Sequence, residues 1–277
     1  MVKLLHYKSL TILVMICLAR TASAGAWLQK SGESTLIPKY ENKTLFSYYT
    51  DPTTNRKYWS KASILEMYSL FYQYGINDRL TLILEEKWFN YKGYYKFYNE
   101  DSEAYNFFAE TEMMYDNHYQ KFENNPYESK ILLQTSLWSN DNSVFSIQPG
   151  FEFYNRNLDK AVELNLLYGY NFKYGYLNLE SGIGKNIRHL SNEEQEWTSK
   201  FETSLGLEVT SRYTLLLQLF NKRNIVIYRD QHSNVGQASW LYKYDQNFSW
   251  QVGYSTNLTE RDNYVTESVI TSMIIKF

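Results

Sequence analysis

The 277-residue chain predicts an all-β fold, a transmembrane antiparallel up-and-down β-barrel of about twelve strands, with fourteen as the alternative. Three observations carry this expectation: an export-type N-terminus, apolar and polar side chains that alternate with a period of two, and a closing stretch, VTESVITSMIIKF. In that stretch Val269, Thr271, Met273, Ile275 and Phe277 fall on one face of a strand that ends on an aromatic.

The N-terminus reads MVKLLHYKSLTILVMICLARTASAGAW. Lys3 and Lys8 precede an apolar core, Leu10 to Leu18, and Ala22-Ser23-Ala24 forms an A-x-A signal before Gly25. The core is far shorter than the roughly 20 residues a membrane helix needs. Ile16 stands where a lipoprotein signal centred on Cys17 would want a small residue. Residues 1–24 therefore read as a cleaved signal peptide. Cleavage removes Cys17, the single cysteine, and leaves no thiol for a disulfide, a thiolate metal site or a nucleophile.

Cleavage also takes Lys3, Lys8 and Arg20 and none of the 30 acidic residues, which moves the net charge from −2 to −5. A mildly acidic chain gives no reason to expect nucleic acid as a partner. Aromatic residues are abundant: 27 Tyr, 15 Phe and 7 Trp against four prolines, at a mean hydropathy of −0.51. A membrane barrel accounts for this mixture. Alternation halves the apolar content, and interfacial girdles consume Tyr, Trp and Phe. A secreted β-sandwich also alternates, but does not need so many aromatics.

The alternation is clearest in the C-terminal half. Val162, Leu164, Leu166, Tyr168 and Tyr170 share a face, and Glu163, Asn165 and Gly169 share the other with one exception, Leu167. Leu177, Leu179 and Ile183 oppose Asn178, Glu180, Gly182 and Gly184. Tyr213, Leu215, Leu217 and Leu219 oppose Thr214, Gln218 and the less polar Leu216 and Phe220. Phe248, Trp250, Val252 and Tyr254 oppose Ser249, Gln251, Gly253 and Ser255. Strands are expected at 44–52, 59–75, 79–93, 128–138, 143–155, 160–173, 175–188, 194–208, 212–226, 233–244, 248–258 and 264–277.

Parity supports that count. Starting upward from the periplasm, every second connection should be periplasmic and tight. These fall at Ile76 to Arg79, Ser139 to Asn142, Lys173-Tyr174, Thr210 to Arg212 and Asp245 to Asn247. The other connections should be extracellular and more variable, as at Asp51 to Tyr58, Arg188 to Glu193 and Ile227 to Ser233. One, at 94–127, is a long insertion dense in acids and aromatics, and an extra hairpin within it is the source of the fourteen-strand alternative. The expected organisation is a signal peptide at 1–24, a periplasmic segment at 25–43 and a barrel at 44–277.

The last strand must pair with the first, because no open edge survives in lipid. Phe277, Ile275 and Met273 on its lipid-facing row resemble the C-terminal signature read by the barrel-assembly machinery of Gram-negative bacteria. More widely, GAWLQKSGES, YQYGINDRLTL, AVELNLLYGYNF and RYTLLLQLFN resemble a family of proteobacterial outer-membrane barrels. That family is similar to transporter-like barrels of the phenol meta-degradation pathway and to barrels found beside exopolysaccharide genes. The resemblance implies an outer-membrane barrel in a Gram-negative cell. It does not extend to the insertion at 94–127.

Candidate chemistry is sparse. His6 leaves with the signal, and His118, His189 and His232 map to extracellular connections or their edges, without a nucleophile elbow, phosphate loop or paired-cysteine spacing. Asp116 and His118 are two apart, and Asp51 and Asp101 are single loop acids, too little by themselves to specify a divalent-cation site or a lipopolysaccharide bridge. No catalytic site, metal or cofactor is expected. The inward row is more informative. With the apolar rows toward lipid, Glu66, Glu85, Lys87, Glu152, Glu163, Glu180, Lys200 and Glu202 are the candidates that line the lumen. Either they pair and fill a narrow barrel, or they bias which solute passes. The expected function is a channel or transporter for passive passage of small solutes. The alternative is a non-transporting surface protein, in adhesion or exopolysaccharide association, acting through its loops. Expected partners are outer-membrane lipid, lipopolysaccharide, the assembly machinery and an unidentified small solute.

Overall fold

A computed structural model describes residues 26–50, 57–97, 127–154, 160–187, 197–226, 229–258 and 264–277. Among these residues twelve strands form one closed antiparallel barrel: β1 (Ser34–Thr50), β2 (Lys57–Asn77), β3 (Leu80–Phe97), β4 (Tyr127–Ser139), β5 (Ser143–Tyr154), β6 (Lys160–Phe172), β7 (Gly175–Ile187), β8 (Trp197–Glu208), β9 (Tyr213–Val226), β10 (Arg229–Lys243), β11 (Phe248–Asn257) and β12 (Tyr264–Lys276). Order around the ring follows order along the chain, and β12 returns to pair with β1 from Thr35↔Lys276 to Ser47↔Tyr264. β3 and β4 pair directly, from Leu80↔Thr135 to Trp88↔Tyr127. No hairpin stands between them in the wall, so the fourteen-strand alternative fails.

The five tight connections lie where the sequence puts them, and the side chains there explain why. Asn140 Oδ1 accepts from the N–H of Asn142 at 2.9 Å and of Ser143 at 2.7 Å. Asp245 Oδ1 accepts from Asn247 and Phe248, each at 2.8 Å. Thr210 Oγ1 accepts from Arg212 and Tyr213, at 3.2 and 3.1 Å. These short side chains replace the ladder bonds that a reversing backbone gives up.

Three boundaries are corrected. β3 runs to Phe97, not 93, so residues 94–97 belong to a strand rather than to the insertion expected at 94–127. β1 begins at Ser34, not 44, so residues 34–43 belong to the wall rather than to the expected periplasmic segment at 25–43. β10 begins at Arg229, which shortens the connection placed at 227–233. The barrel is also uneven. β1, β2 and β3 run 17, 21 and 18 residues, whereas β11 has 10 and β10 has 15. Among the described residues, pairing of β3 with β2 continues to Phe97, while its pairing with β4 stops at Trp88.

Alternation sorts the side chains as expected. Leu164, Leu166, Tyr170, Leu217, Leu219, Trp250, Val252 and Met273 are exposed on the outer surface. Gln134, Ser146, Asn165, Thr214 and Ser239 are buried on the inner one. Outer aromatics gather near both ends of the strands, with Tyr74, Trp138, Tyr174, Tyr213 and Trp250 toward the short turns and Trp88, Tyr127 and Trp197 toward the other rim. Trp250 Nε1 donates to Thr271 Oγ1 at 2.9 Å, which gives the indole a partner on an otherwise apolar face. The signal segment, 98–126 of the long insertion, and Asp51, Asp101, Asp116, His118 and His189 lie outside the described residues; His232 sits in the backbone of β10.

Candidate functional site

The lumen is built in two tiers. Nearest the short turns, residues 26–33 enter the barrel instead of lying beneath it. Gly32, at φ 80°, supplies the left-handed bend that turns the chain inward. Its N–H donates to the Gly75 carbonyl at 2.8 Å, and Gly75 N–H donates to Glu33 O at 3.0 Å. A Cβ on Gly75 would overlap the Lys30 carbonyl, so only glycine admits the segment at that point. Gln29 then anchors it to three strands. Its N–H donates to Thr81 Oγ1 at 3.0 Å, its Nε2 to Gln73 Oε1 at 2.8 Å, and its Oε1 accepts from Thr35 Oγ1 at 3.3 Å.

From there the segment runs along the wall to β4 and β5. The Ala26 carbonyl accepts from Gln134 Nε2 at 2.9 Å and from Ser146 Oγ at 2.8 Å. Ala26 is fully buried and packs with Trp27 against Val144 and Leu167. Leu167 was the apolar exception on the polar face of β6, and this contact is its cause. A Cβ on Gly169 would stand 2.7 Å from Trp27 Nε1, so the glycine leaves the space the indole uses.

One tier higher a charged belt runs across the inner faces of β3 to β8. Lys87 Nζ lies 3.3 Å from Glu85 and 3.9 Å from Glu128. Lys130 lies 3.2 Å from Glu163 and 3.8 Å from Glu152. Lys200 lies 2.5 Å from Glu180 and 3.7 Å from Glu163. Glu163 thus joins two lysines, and the ladder Glu152–Lys130–Glu163–Lys200–Glu180 is continuous. All these side chains are largely withdrawn from solvent, which raises both their mutual attraction and the cost of leaving one unpaired. Between the tiers a neutral chain of amides links them: Gln148 Nε2 donates to Gln134 Oε1 at 3.4 Å, and Asn165 Nδ2 donates to Gln148 Oε1 at 3.0 Å and to Glu163 Oε1 at 3.4 Å.

Seven of the eight lumen candidates, Glu85, Lys87, Glu152, Glu163, Glu180, Lys200 and Glu202, share the inward parity and meet in this belt. Glu66 does not. It has the parity of the exposed Tyr68, Leu70 and Tyr74, faces outward, and accepts from Asn90 Nδ2 at 2.9 Å on the neighbouring strand. Aromatics on both faces of β2 obscure its register in the sequence. Sequence reasoning also missed Glu128, Lys130 and the inserted segment. The first two were open to it, because YESKILLQ puts Glu128, Lys130 and Gln134 on one face of β4. The opposite wall is the more basic: Lys39, Lys43, Lys222, Lys243 and Lys276 share the inward parity there with Glu41 and Glu208, and Lys243 lies 3.5 Å from Glu208. Lys39 lies 3.0 Å from Glu41, which also accepts from Ser268 Oγ at 2.9 Å, and Gln237, Gln218 and Ser204 form a hydrogen-bonded run.

No family model and no curated protein matches the chain. Solved structures do. An outer membrane channel from Pseudomonas putida F1 aligns with a TM-score of 0.60 at 12% identity, over 93% of this chain and 100% of that one. The NanC porin aligns with a TM-score of 0.57 at 8% identity, over 86% and 100%. The translocator domain of the autotransporter NalP from Neisseria meningitidis aligns with a TM-score of 0.54 at 9% identity, over 98% and 95%. The fold is that of outer-membrane barrels. At these identities the likeness concerns the fold alone.

The charged groups of the belt are carboxylates and ammonium ions, most of them in ion pairs. No group of three or more His, Cys, Asp or Glu among the described residues has metal-binding geometry.

Proposed function

We propose that this chain is an outer-membrane channel that passes small solutes, narrowed by its own residues 26–33. The observation that carries the reading is the charged belt. A barrel serving only as a surface scaffold has no use for nine ionisable groups around its inner wall, because a packed apolar interior would stabilise it as well or better. Charges in a confined polar passage do have a use, since they raise the local concentration of one sign of ion and reject the other. The resemblance of the GAW and SGE motifs to transporter-like barrels agrees with the reading, as does the company of a channel and a porin among the similar folds.

On this reading the signal peptide exports the chain, and the assembly machinery recognises the row ending at Phe277. The outer surface meets lipid and lipopolysaccharide, and the short turns face the periplasm. The decisive measurement is conductance of refolded protein in a planar bilayer. Discrete steps in potassium chloride are expected, and their size should increase when residues 26–33 are deleted. A silent bilayer with both proteins, each shown to be folded, would overturn the channel and favour a surface protein acting through its loops.

A further inference from the structure

The outer faces of β6 to β9 carry charge of one sign only. Among the described residues, the charged side chains there are Lys160 on β6, Lys185 on β7 and Arg223 on β9, and no acid shares that face. Outward acids lie elsewhere on the wall, with Glu66 on β2, Glu86 on β3 and Glu267 on β12. The three cations also stand at one rim, the one away from the short turns. Lys160 opens β6, Lys185 lies just short of Ile187 at the end of β7, and Arg223 just short of Val226 at the end of β9.

The register makes these residues neighbours. Lys185 pairs with Val162, the next outward residue after Lys160, and with Trp197 on β8. Arg223 pairs with Ser199, the next outward residue after Trp197. Lys185 Nζ lies 5.4 Å from the centre of the Trp197 ring, so a girdle indole holds one ammonium at this level. Lys160 and Lys185 are diagonal neighbours, about 7–8 Å apart along the sheet, a gap that one phosphate group bridges. Asp230 on β10 pairs with Ile225, beyond Arg223, so the two lysines form the centre of the patch and Arg223 its edge. Nearer the middle of the same strands, Leu164, Ile183, Phe201 and Leu219 are exposed on this face and offer an apolar surface to acyl chains. Cations side by side repel, and an anion between them reverses the sign of that energy.

We propose that this face docks the phosphorylated headgroup of lipopolysaccharide, with a phosphate between Lys160 and Lys185 and acyl chains along the apolar row beneath. The charge, the girdle level and the apolar row each match one part of such a lipid, whereas a free phosphate gains nothing from the apolar row. The inference rests on the outer-membrane reading with the short turns toward the periplasm, which puts this rim in the outer leaflet. It is independent of whether the lumen conducts.

The test is titration of lipopolysaccharide into the folded barrel in detergent micelles, read by native mass spectrometry. Saturable binding is expected. Lys160→Gln with Lys185→Gln should weaken it roughly thirtyfold, and Lys160→Arg with Lys185→Arg should retain it. Glu66→Gln with Glu267→Gln, on the acidic side, should leave it unchanged. Lipopolysaccharide stripped of its phosphates should bind the wild type as weakly as the intact lipid binds the double glutamine variant. Equal binding by that variant, shown to be folded by its heat-shifted gel mobility, overturns the site, and so does equal binding of the dephosphorylated lipid. Inorganic phosphate that binds as tightly as the lipid would also overturn it, by assigning the lysines to a free anion. Because the measurement needs no ion flow, a silent bilayer would defeat the channel reading and leave this result standing.

Discussion

Ser34 and Phe277 exchange both of their backbone hydrogen bonds. Ser34 N–H donates to the Phe277 carbonyl at 2.7 Å, and Phe277 N–H donates to the Ser34 carbonyl at 3.0 Å. The final residue of the chain is thus the last link between β12 and β1, and its ring stands exposed on the outer surface. Both halves of that arrangement matter. The backbone closes the ring, and the side chain continues the row of Met273 and Ile275.

Deleting Phe277 should therefore slow assembly more than the loss of one aromatic would. The folded wild-type barrel should resist SDS until boiled, giving two gel mobilities, because its closed ladder has no edge to invade. The truncated chain should give a smaller heat-modifiable fraction, and Phe277→Tyr should restore it. Equal fractions in all three would make the terminal residue incidental.

Trp27→Ala should leave an unfilled space beside Gly169 and Leu167. The expected loss is about 2–3 kcal/mol, near the low end for a large aromatic because the indole is only partly buried. Gly169→Val should act from the other side by displacing the same ring. Denaturant titration measures both. If the double variant loses no more than the worse single one, the two positions share one contact.

Lys130→Met should uncouple Glu152 from Glu163. The cost is expected at roughly 1–3 kcal/mol, below the about 3–5 of a fully buried pair, because some water still reaches this belt. The variant should also be the more cation-selective channel, since one positive charge has gone and both acids remain.

Six carboxylates and three lysines form the belt among the described residues: Glu85, Glu128, Glu152, Glu163, Glu180 and Glu202, with Lys87, Lys130 and Lys200. The acid excess on this wall should consequently hold cations against it, opposed by the lysines of the facing wall, and any preference should shrink as ionic strength rises and the Debye length falls below about 8 Å. The reversal potential across a potassium chloride gradient reads this. Glu180→Gln with Glu202→Gln should reduce it. Glu66→Gln should leave it unaltered, because that carboxylate faces outward; a shift in that variant would place Glu66 in the conduction path.

Much of the fold was open to reading from the sequence because barrel strands and tight turns are local. Asn140, Thr210 and Asp245 announce reversals through bonds to residues two and three positions on, and alternation along β6 or β11 needs no partner to be visible. Failures came where distant chain decides. Residues 34–43 carry Pro38, Lys39, Glu41 and Lys43 and read as a polar lead-in, yet Lys39 and Glu41 pair with each other inside the wall. Lys130 reaches Glu163 across an intervening strand, and nothing in either neighbourhood signals the other. The burial of Ala26 depends on Gln134 and Ser146, more than a hundred residues away. Leu167 was the single local hint, an apolar side chain out of step with its row.

The segment inside the barrel and the strand that seals the wall are one continuous stretch of chain. Ser34 is pinned by Phe277, so residues 26–33 hang from a fixed pivot at the seam. A leash of eight residues extends at most about 27 Å, comparable with the depth of the passage it occupies. The bonds of Gln29 and Ala26 to the inner wall are side-chain bonds, separate from the backbone ladder that closes the cylinder.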